Sequence, residues 1–503
     1  MNFLILSNFS LFCYIIGLVK KKFYITTTIP YVNSDPHIGF ALEIIQADAI
    51  ARYHLFCGDD VFFNTGTDEH GLKIYQKALE EKKTPQDCVD EYAAKFAKLK
   101  EALNLSNTSF IRTTDGYHKR AAQEFWKRCY KKGDIYKAKY KVKYCIGCEL
   151  EKTDSELVKE RCPFHPNRQL EIREEENYFF RFSKYQQALL KLYKDNPDFV
   201  IPKHRLQEIT NFVAGGLQDF SISRLKNKMP WGVEVPGDPE HIMYVWFDAL
   251  VNYISVIGWP EKIEKYKKWW PGVQLAGKDN LRQQSAMWQA MLMSAGLPST
   301  KQILIHGFIT LGDQKISKSL GNVVDPFELV NKYGTDALRY YLLKEIPTFK
   351  DGDFTIEHFE EVYNADLANG IGNLVQRVSK LCEKVKIGKD YLNSILKDNK
   401  HDVKQDIDRF MQKYELNQAL NYIWTYISSL DKYIDRERPW EKSGTELKKT
   451  LGKIIIATEG TRGILEIAEL LKPFLPDTAE KIEKIFTANQ IKAPKNPLFP
   501  RLK

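Results

Sequence analysis

Between about residues 23 and 131 the chain alternates short β-branched runs with longer stretches whose apolar residues recur every three or four positions. "KFYITTTI" predicts a strand, "HIGFALEIIQADAIARYHLF" a helix and "DVFFNTG" a short buried strand. In "TPQDCVDEYAAKFAKLKEAL", Thr84 suits a helix cap, Pro85 the first helical position and Asp87 the first turn. Val89, Tyr92, Phe96, Leu99 and Leu103 then mark one face of that helix. Strands alternating with helices predict a parallel, doubly wound sheet.

From about Gly133 to Pro239 the pattern breaks up into short basic and aromatic stretches around a group of cysteines. Helical spacing returns only at "KYQQALLKLY", so the segment reads as an inserted module. The α/β texture resumes with "IMYVWFDALVNYI", "VQLAGKDN", "LRQQSAMWQAMLMSAG" and "QILIHGFITL". From about Pro326 the spacing is helical to the end. The expected fold class is α/β, with a split, Rossmann-like, doubly wound catalytic domain at residues 19–132 and 240–325. The insertion occupies 133–239, a linking helical segment 326–365, and a C-terminal α-helical bundle 366–503.

A chain of 503 residues, 43% hydrophobic and 28% charged, has the length for several packed cores and lacks the composition of a disordered protein. Its net charge of +9 allows a polyanionic partner without requiring one. Cys13, Cys57, Cys88, Cys129 and Cys382 form no disulfide framework, which fits a reducing, cytoplasmic setting. The opening "MNFLILSNFSLFCYIIGLVKKKFY" is apolar, yet no charge precedes the apolar run, Asn8 and Ser10 interrupt it, and no small-residue cleavage site follows. Residues 1–18 are expected to be an extension outside the fold, with translation starting near Val19 and no membrane-crossing segment elsewhere.

"TTTIPYVNSDPHIGFALE" places a histidine and a glycine where a strand feeds a tight turn and a helix N-terminus. Free backbone N–H groups and the positive end of the helix dipole make an anion site there. His37 adds a proton donor, and Gly39 lets a ligand approach the backbone. "GDQKISKSLGN" carries Lys315 and Lys318 on a short loop bounded by Gly312 and Gly321, able to close over a polyphosphate. Each element alone is commonplace. Flanking the carboxyl edge of one parallel sheet, the two predict nucleotide chemistry where the strand order reverses. "YCIGCE" and "RCPFHP" give Cys145-x2-Cys148 and Cys162-x2-His165 with thirteen residues between the pairs, a ligand set that suits one closed, structural Zn2+.

"PHIGF" followed by "KISKS" resembles the HIGH and KMSKS signatures of class I aminoacyl-tRNA synthetases. Within that class the chain resembles the methionyl-tRNA synthetase family in its single zinc-knuckle form. "NTGTDEHG", "YVWFDALVNYI", "LAGKDN", "KISKSLGNVVDPFELVNKYGTDALRYYLL", "ADLANGIGNLVQR" and "DRERPW" match its blocks in order, over about residues 20 to 500. The resemblance implies activation of L-methionine by Mg2+-bound ATP to methionyl-adenylate, then transfer to the 3′-terminal adenosine of initiator and elongator tRNA-Met. It implies that His37, Gly39, Gly277, Asp279, Lys315 and Lys318 hold ATP, with His37, Lys315 and Lys318 acting electrostatically in catalysis. Asp68 would pair with the amino group of methionine, and Ile29, Tyr31, Trp246, Tyr253 and Gln284 would line the rest of its pocket. Asn373, Arg377 and Trp440 would read the CAU anticodon. The expected form is a monomer.

There are two departures from the family pattern. Phe40 replaces the second HIGH histidine and cannot donate to a phosphate, and Gln283-Gln284 stands where Phe-His is common. Methionine is still expected to be selected, by pocket shape and sulfur contacts with Trp246 and Tyr253, with Gln284 bonded to Tyr253 or water. Plainer roles remain open to several residues: Trp246 and Tyr253 as core, Asp68 as a turn residue, Trp440 as a plug in the bundle. The synthetases for isoleucine, leucine and valine share this core but carry a far larger editing insertion. A nucleotidyltransferase with an HIGH-like turn would leave the cysteine module and helical domain unexplained. An inactive tRNA-binding protein would keep "NLVQR" and "RPW" but ignore ATP.

Overall fold

The computed structural model describes residues 20–502, apart from 146–149, 153–156, 158–159, 163–166, 168, 313, 316–322, 396–402 and 459–460. At its centre lies a six-stranded sheet built from β1 (Lys22–Thr26), β2 (Asp60–Thr67), β3 (Ser109–Arg112), β4 (Val200–Ile201), β5 (Val273–Gly277) and β6 (Gln302–His306). The order is β3-β2-β1-β5-β6-β4, and every pairing is parallel. β1 and β5 are the central neighbours, and their residues are buried almost throughout, as expected of strands covered on both faces. The chain runs outward from β1 to β2 and β3, then returns to the other side of β1 as β5. The strand order therefore reverses at the carboxyl ends of β1 and β5, which is where such sheets hold ligands.

Helix α1 (Ile38–Phe56) follows β1 and packs on β1, β2 and β5. It is apolar on nearly every side and correspondingly buried, with Glu43, Gln46 and Asp48 as buried polar exceptions. The helix Pro85–Ala102 forms as its sequence dictates: Thr84 caps it, its hydroxyl accepting from Asp87 N at 3.1 Å, and Pro85 opens it. Helix α2 (Gly116–Lys131) completes this half. β4 is a difference from expectation, since it comes from the segment read as insertion. Two apolar residues, Val200 and Ile201, show no period, yet they pair with Ile303 and Leu304 at the sheet edge. The rest of that segment carries an antiparallel sheet in which Ile135–Cys145 runs along Glu171–Phe180, flanked by Leu150–Lys152 and Phe220–Ser221.

The C-terminal part is helical, as the spacing predicts. α3 (Thr335–Lys344) leads through Ile356–Val362 and a π-helical stretch, Tyr363–Gly372, into α4 (Asn373–Val385) and then α5 (Leu416–Glu437). On α5 the buried Leu416, Leu420, Ile423, Ile427, Leu430 and Ile434 form one stripe. A single apolar core runs from β1 and α1 into these helices. Arg339 on α3 pins the junction: wholly buried, it pairs with Asp48 of α1 at 2.8 Å and donates to the carbonyls of Leu103 and Phe474 at 3.1 and 2.8 Å. Among the described residues no helix is long and apolar enough to cross a membrane.

Candidate active site

A cleft of about 610 Å³ opens at the carboxyl ends of β1 and β5. At one end stands His37, whose extended backbone makes it the cap of α1 and whose Nδ1 accepts from Gly39 N at 3.1 Å. That bond places the proton of the neutral ring on Nε2. A Cβ on residue 39 would lie 2.9 Å from His37 Cε1 and 3.0 Å from Nδ1, so only glycine lets the imidazole fold over the helix end. Phe40, the departure noted above, turns its ring edge-on to Phe96, with centroids 5.3 Å apart. Across the cleft, β5 ends at Gly277, and Asp279 follows in a short turn, its Oδ1 accepting from Asn280 Nδ2 at 3.2 Å. A Cβ on residue 277 would lie 2.9 Å from that oxygen, which is the reason for glycine there.

Motif reasoning missed two residues on the cleft wall. Glu43 accepts from Thr28 N and Oγ1, both at 2.6 Å, and meets His306 Nε2 at 2.9 Å. It thereby ties the exit of β1 to α1 and to the end of β6. His306 Nδ1 faces the Gly307 carbonyl at 2.7 Å, so both ring nitrogens have acceptors. Burial disfavours the charged ring, but Glu43 and that carbonyl outweigh it and raise its pKa above the usual histidine value. The available signal was a glutamate within the apolar run that opens α1.

The other end of the cleft is built around Asp68, just past β2. Its backbone bridges Tyr31: Asp68 N donates to Pro30 O at 2.9 Å, and Val32 N to Asp68 O at 3.3 Å. The side chain is buried, and its Oδ1 makes no hydrogen bond among the described residues. Burial, and then the negative charge of Asp248, push its pKa far above the ordinary carboxylate range. Burial followed by Asp68 likewise raises the Tyr31 hydroxyl, which stays neutral. Trp246 lies on the short helix Val245–Ala249, with Tyr244 edge-on to it at 5.7 Å. Tyr253 is wholly buried and accepts from Gln284 Nε2 at 2.7 Å, the bond expected from the sequence. Gln284 sits in a π-helical turn, Gln283–Met287, and its Oε1 has no partner among the described residues. Every ATP-site and methionine-site residue expected from the sequence, apart from the two lysines, lines this one cleft.

Residues 23–170 and 165–379 match the family described as "tRNA synthetases class I (M)". The methionine–tRNA ligase of Thermotoga maritima is 44% identical over 473 residues, covering 92% of this chain and 74% of that one. The Nostoc sp. methionine–tRNA ligase is 41% identical over 487 residues, covering 93% and 90%. This chain belongs to the methionyl-tRNA synthetase family. Its activity is that of a methionine–tRNA ligase. The fold agrees: the Mycobacterium tuberculosis methionyl-tRNA synthetase in complex with methionyl-adenylate superposes with a TM-score of 0.83 at 35% identity, covering 96% of this chain and 100% of that one. The apo form of the same protein gives 0.77 at 32% identity.

Other features expected from the methionyl-tRNA synthetase resemblance lie away from the cleft or only partly within the described residues. Lys315 belongs to a two-residue strand, Gln314–Lys315, paired with Thr310 and Leu311 next to the cleft residue Ile309, while Lys318 lies outside the described residues. Cys145 ends its strand opposite Leu150, and Cys162 is buried. Cys148 and His165 lie outside the described residues. Asn373 and Arg377 sit one turn apart on α4, the former exposed. Arg377 pairs with Asp431 at 2.8 Å and Asp435 at 3.5 Å on α5, a pairing the sequence did not reveal. Trp440 occupies the turn Pro439–Glu441 directly after α5 and is 43% exposed, which is no place for a core plug.

Proposed function

We propose that this cleft activates L-methionine with MgATP and that the C-terminal helices present the enzyme to tRNA-Met. The observation that carries the reading is a buried carboxyl with an open oxygen, Asp68, sharing one cleft with a histidine-capped helix N-terminus. Asp68 would take the ammonium group, and Trp246, Tyr253, Ile29 and Tyr31 the thioether chain. Gln284 would hold Tyr253 in place. Asp279 would take the ribose, with Gly277 giving it room. His37, Gly39 and the α1 N-terminus would face the phosphates, with Lys315 and Lys318 closing from the other side. In the first step a carboxylate oxygen of methionine bonds to the α-phosphorus as the bond from that phosphorus to the bridging oxygen breaks, and pyrophosphate leaves. Positioning and charge stabilisation suffice, without a protein nucleophile. In the second, the terminal ribose hydroxyl of tRNA takes the acyl group and AMP leaves.

Asn373, Arg377 and Trp440 would read the CAU anticodon; an exposed tryptophan on a turn supports stacking on a base. Cys145, Cys148, Cys162 and His165 would hold one structural Zn2+. The strand end at Cys145 returning through Leu150, the burial of Cys162 and the donor set all fit that metal. Bound there, Zn2+ would be structural, with no open position for chemistry. The enzyme acts as a monomer in the cytoplasm; the cytoplasmic setting is supported by Cys57, Cys88, Cys129 and Cys382, which are free thiols among the described residues. Methionine-dependent ATP–pyrophosphate exchange tests the site: His37→Ala should lower kcat with the methionine KM little changed, and Asp68→Asn should do the reverse. The same response to both changes would refute the division of labour.

A further inference from the structure

Behind Asp68 lies a group of buried titratable side chains for which the activation chemistry has no use. Asp248, wholly buried, meets His70 Nδ1 at 2.6 Å with one oxygen and His118 Nε2 at 2.8 Å with the other. His118 Nδ1 in turn faces Ser255 Oγ at 3.0 Å. Burial pushes the Asp248 carboxyl up, but attraction to His70 and hydrogen bonds from both histidines hold it ionised, at about 2. A buried carboxylate held by two histidines is a poor way to fill space, because apolar side chains of similar volume do that at least as well. Its location is informative. His70 follows Asp68 by two residues, and its backbone N–H bears on the Asp68 carboxyl. Asp248 follows Trp246 by two residues on the short helix that lends Trp246 to the cleft.

We propose that Asp248 and His70 are positioning residues for the ammonium group of methionine: the carboxylate fixes the His70 ring, and through it the turn that aims Asp68 into the cleft. This rests on the role given to Asp68 above. The turn has other anchors at Glu69, whose carboxylate takes Arg112 Nε at 2.7 Å and whose carbonyl takes Trp231 Nε1 at 2.6 Å. Loss of the His70–Asp248 bond should therefore appear at Asp68 and not as unfolding.

The test is ATP–pyrophosphate exchange by the full chain, with Asp68→Asn as the reference. His70→Leu removes the bond; the isosteric Asp248→Asn leaves one histidine without its acceptor and also removes a charge that opposes Asp68 ionisation, so a rise in the methionine KM there reports lost positioning. His70→Asn puts an amide N–H where Nδ1 was. The methionine KM should rise about tenfold or more in His70→Leu and Asp248→Asn, with the ATP KM within about twofold, and His70→Asn should recover most of the loss. Inhibition by L-methioninol, which keeps the ammonium group, should weaken in step. Inhibition by 4-(methylthio)butanoate, which lacks it, should not. An unchanged methionine KM in both variants, with Asp68→Asn impaired, overturns the proposal. Parallel weakening of both inhibitors overturns it as well, by showing a packing role. If His70→Leu does not fold, Asp248→Asn decides by the same two inhibitors. An unimpaired Asp68→Asn instead overturns the reading of Asp68 itself.

Discussion

Burial, and then the charge of Asp248, raise the Asp68 pKa far above the ordinary carboxylate range, and an incoming ammonium group favours the ionised form. Methionine binding should thus strengthen, and the methionine KM fall, as pH rises towards the raised Asp68 pKa, until the substrate's own amino group deprotonates. A flat profile would contradict this. The same shift has a stability consequence. For an acid whose folded-state pKa is raised, the fold retains the proton more tightly than the unfolded chain. Stability is greatest below the unfolded value of about 3.9 and declines as pH climbs towards the folded value. Asp68→Asn removes that burden, so its thermal midpoint at neutral pH should equal or exceed the parent's while the methionine KM climbs roughly tenfold to a hundredfold. A large loss of stability would mark Asp68 as a turn residue. At the far wall, Gln284 bonds to the Tyr253 hydroxyl at 2.7 Å and so acts on the pocket chiefly by holding that ring. Tyr253→Ala should collapse exchange, and Gln284→Ala should raise the methionine KM by less than about tenfold. Hydrophobic discrimination is limited to about 1–3 kcal/mol per methylene, so norleucine should be activated measurably.

The elements most legible in the sequence are those in which local signals agree. The Pro85–Ala102 helix starts at Thr84 because cap, first-turn chemistry and apolar spacing point the same way. β4 was illegible because two apolar residues carry no period, and only pairing with Ile303 and Leu304 makes them a strand. Glu43 and His306 escaped notice for a related reason: they belong to no short motif, and their meeting at 2.9 Å is created by the fold. Arg377 was legible as a candidate but not as a partner of Asp431 and Asp435, since α4 and α5 lie far apart in sequence. In the turn that follows α5, Trp440→Ala should weaken aminoacylation by the worth of one stacked base, about 1–3 kcal/mol. Exchange without tRNA should be unchanged, and stability should move by less than about 0.5 kcal/mol because the ring is exposed. A parallel loss in both reactions would assign Trp440 to packing.

Across the molecule, the catalytic sheet and the C-terminal helices share one core and a polar junction between α1 and α3. Asp336 on α3 accepts from Thr478 N at 2.6 Å and is wholly buried; burial first, and Asp477 further, lift its pKa to about 6 against the opposing effects of Thr478 and Arg339. Its ionised form is disfavoured in the fold, so its effect on stability is most favourable below about pH 4 and is lost as pH rises through about 6. Asp336→Asn should therefore gain stability relative to the parent as pH goes from about 4 to about 7, by on the order of 2–3 kcal/mol; a gain that shrinks with pH would contradict the assignment. The account as a whole stands on what the cleft activates. The most direct measurement is ATP–pyrophosphate exchange by the purified chain without tRNA, comparing L-methionine with leucine, isoleucine and cysteine. Exchange should depend on L-methionine, with the highest kcat/KM of the set. Absence of methionine-dependent exchange, or a higher kcat/KM for leucine, isoleucine or cysteine, would contradict it.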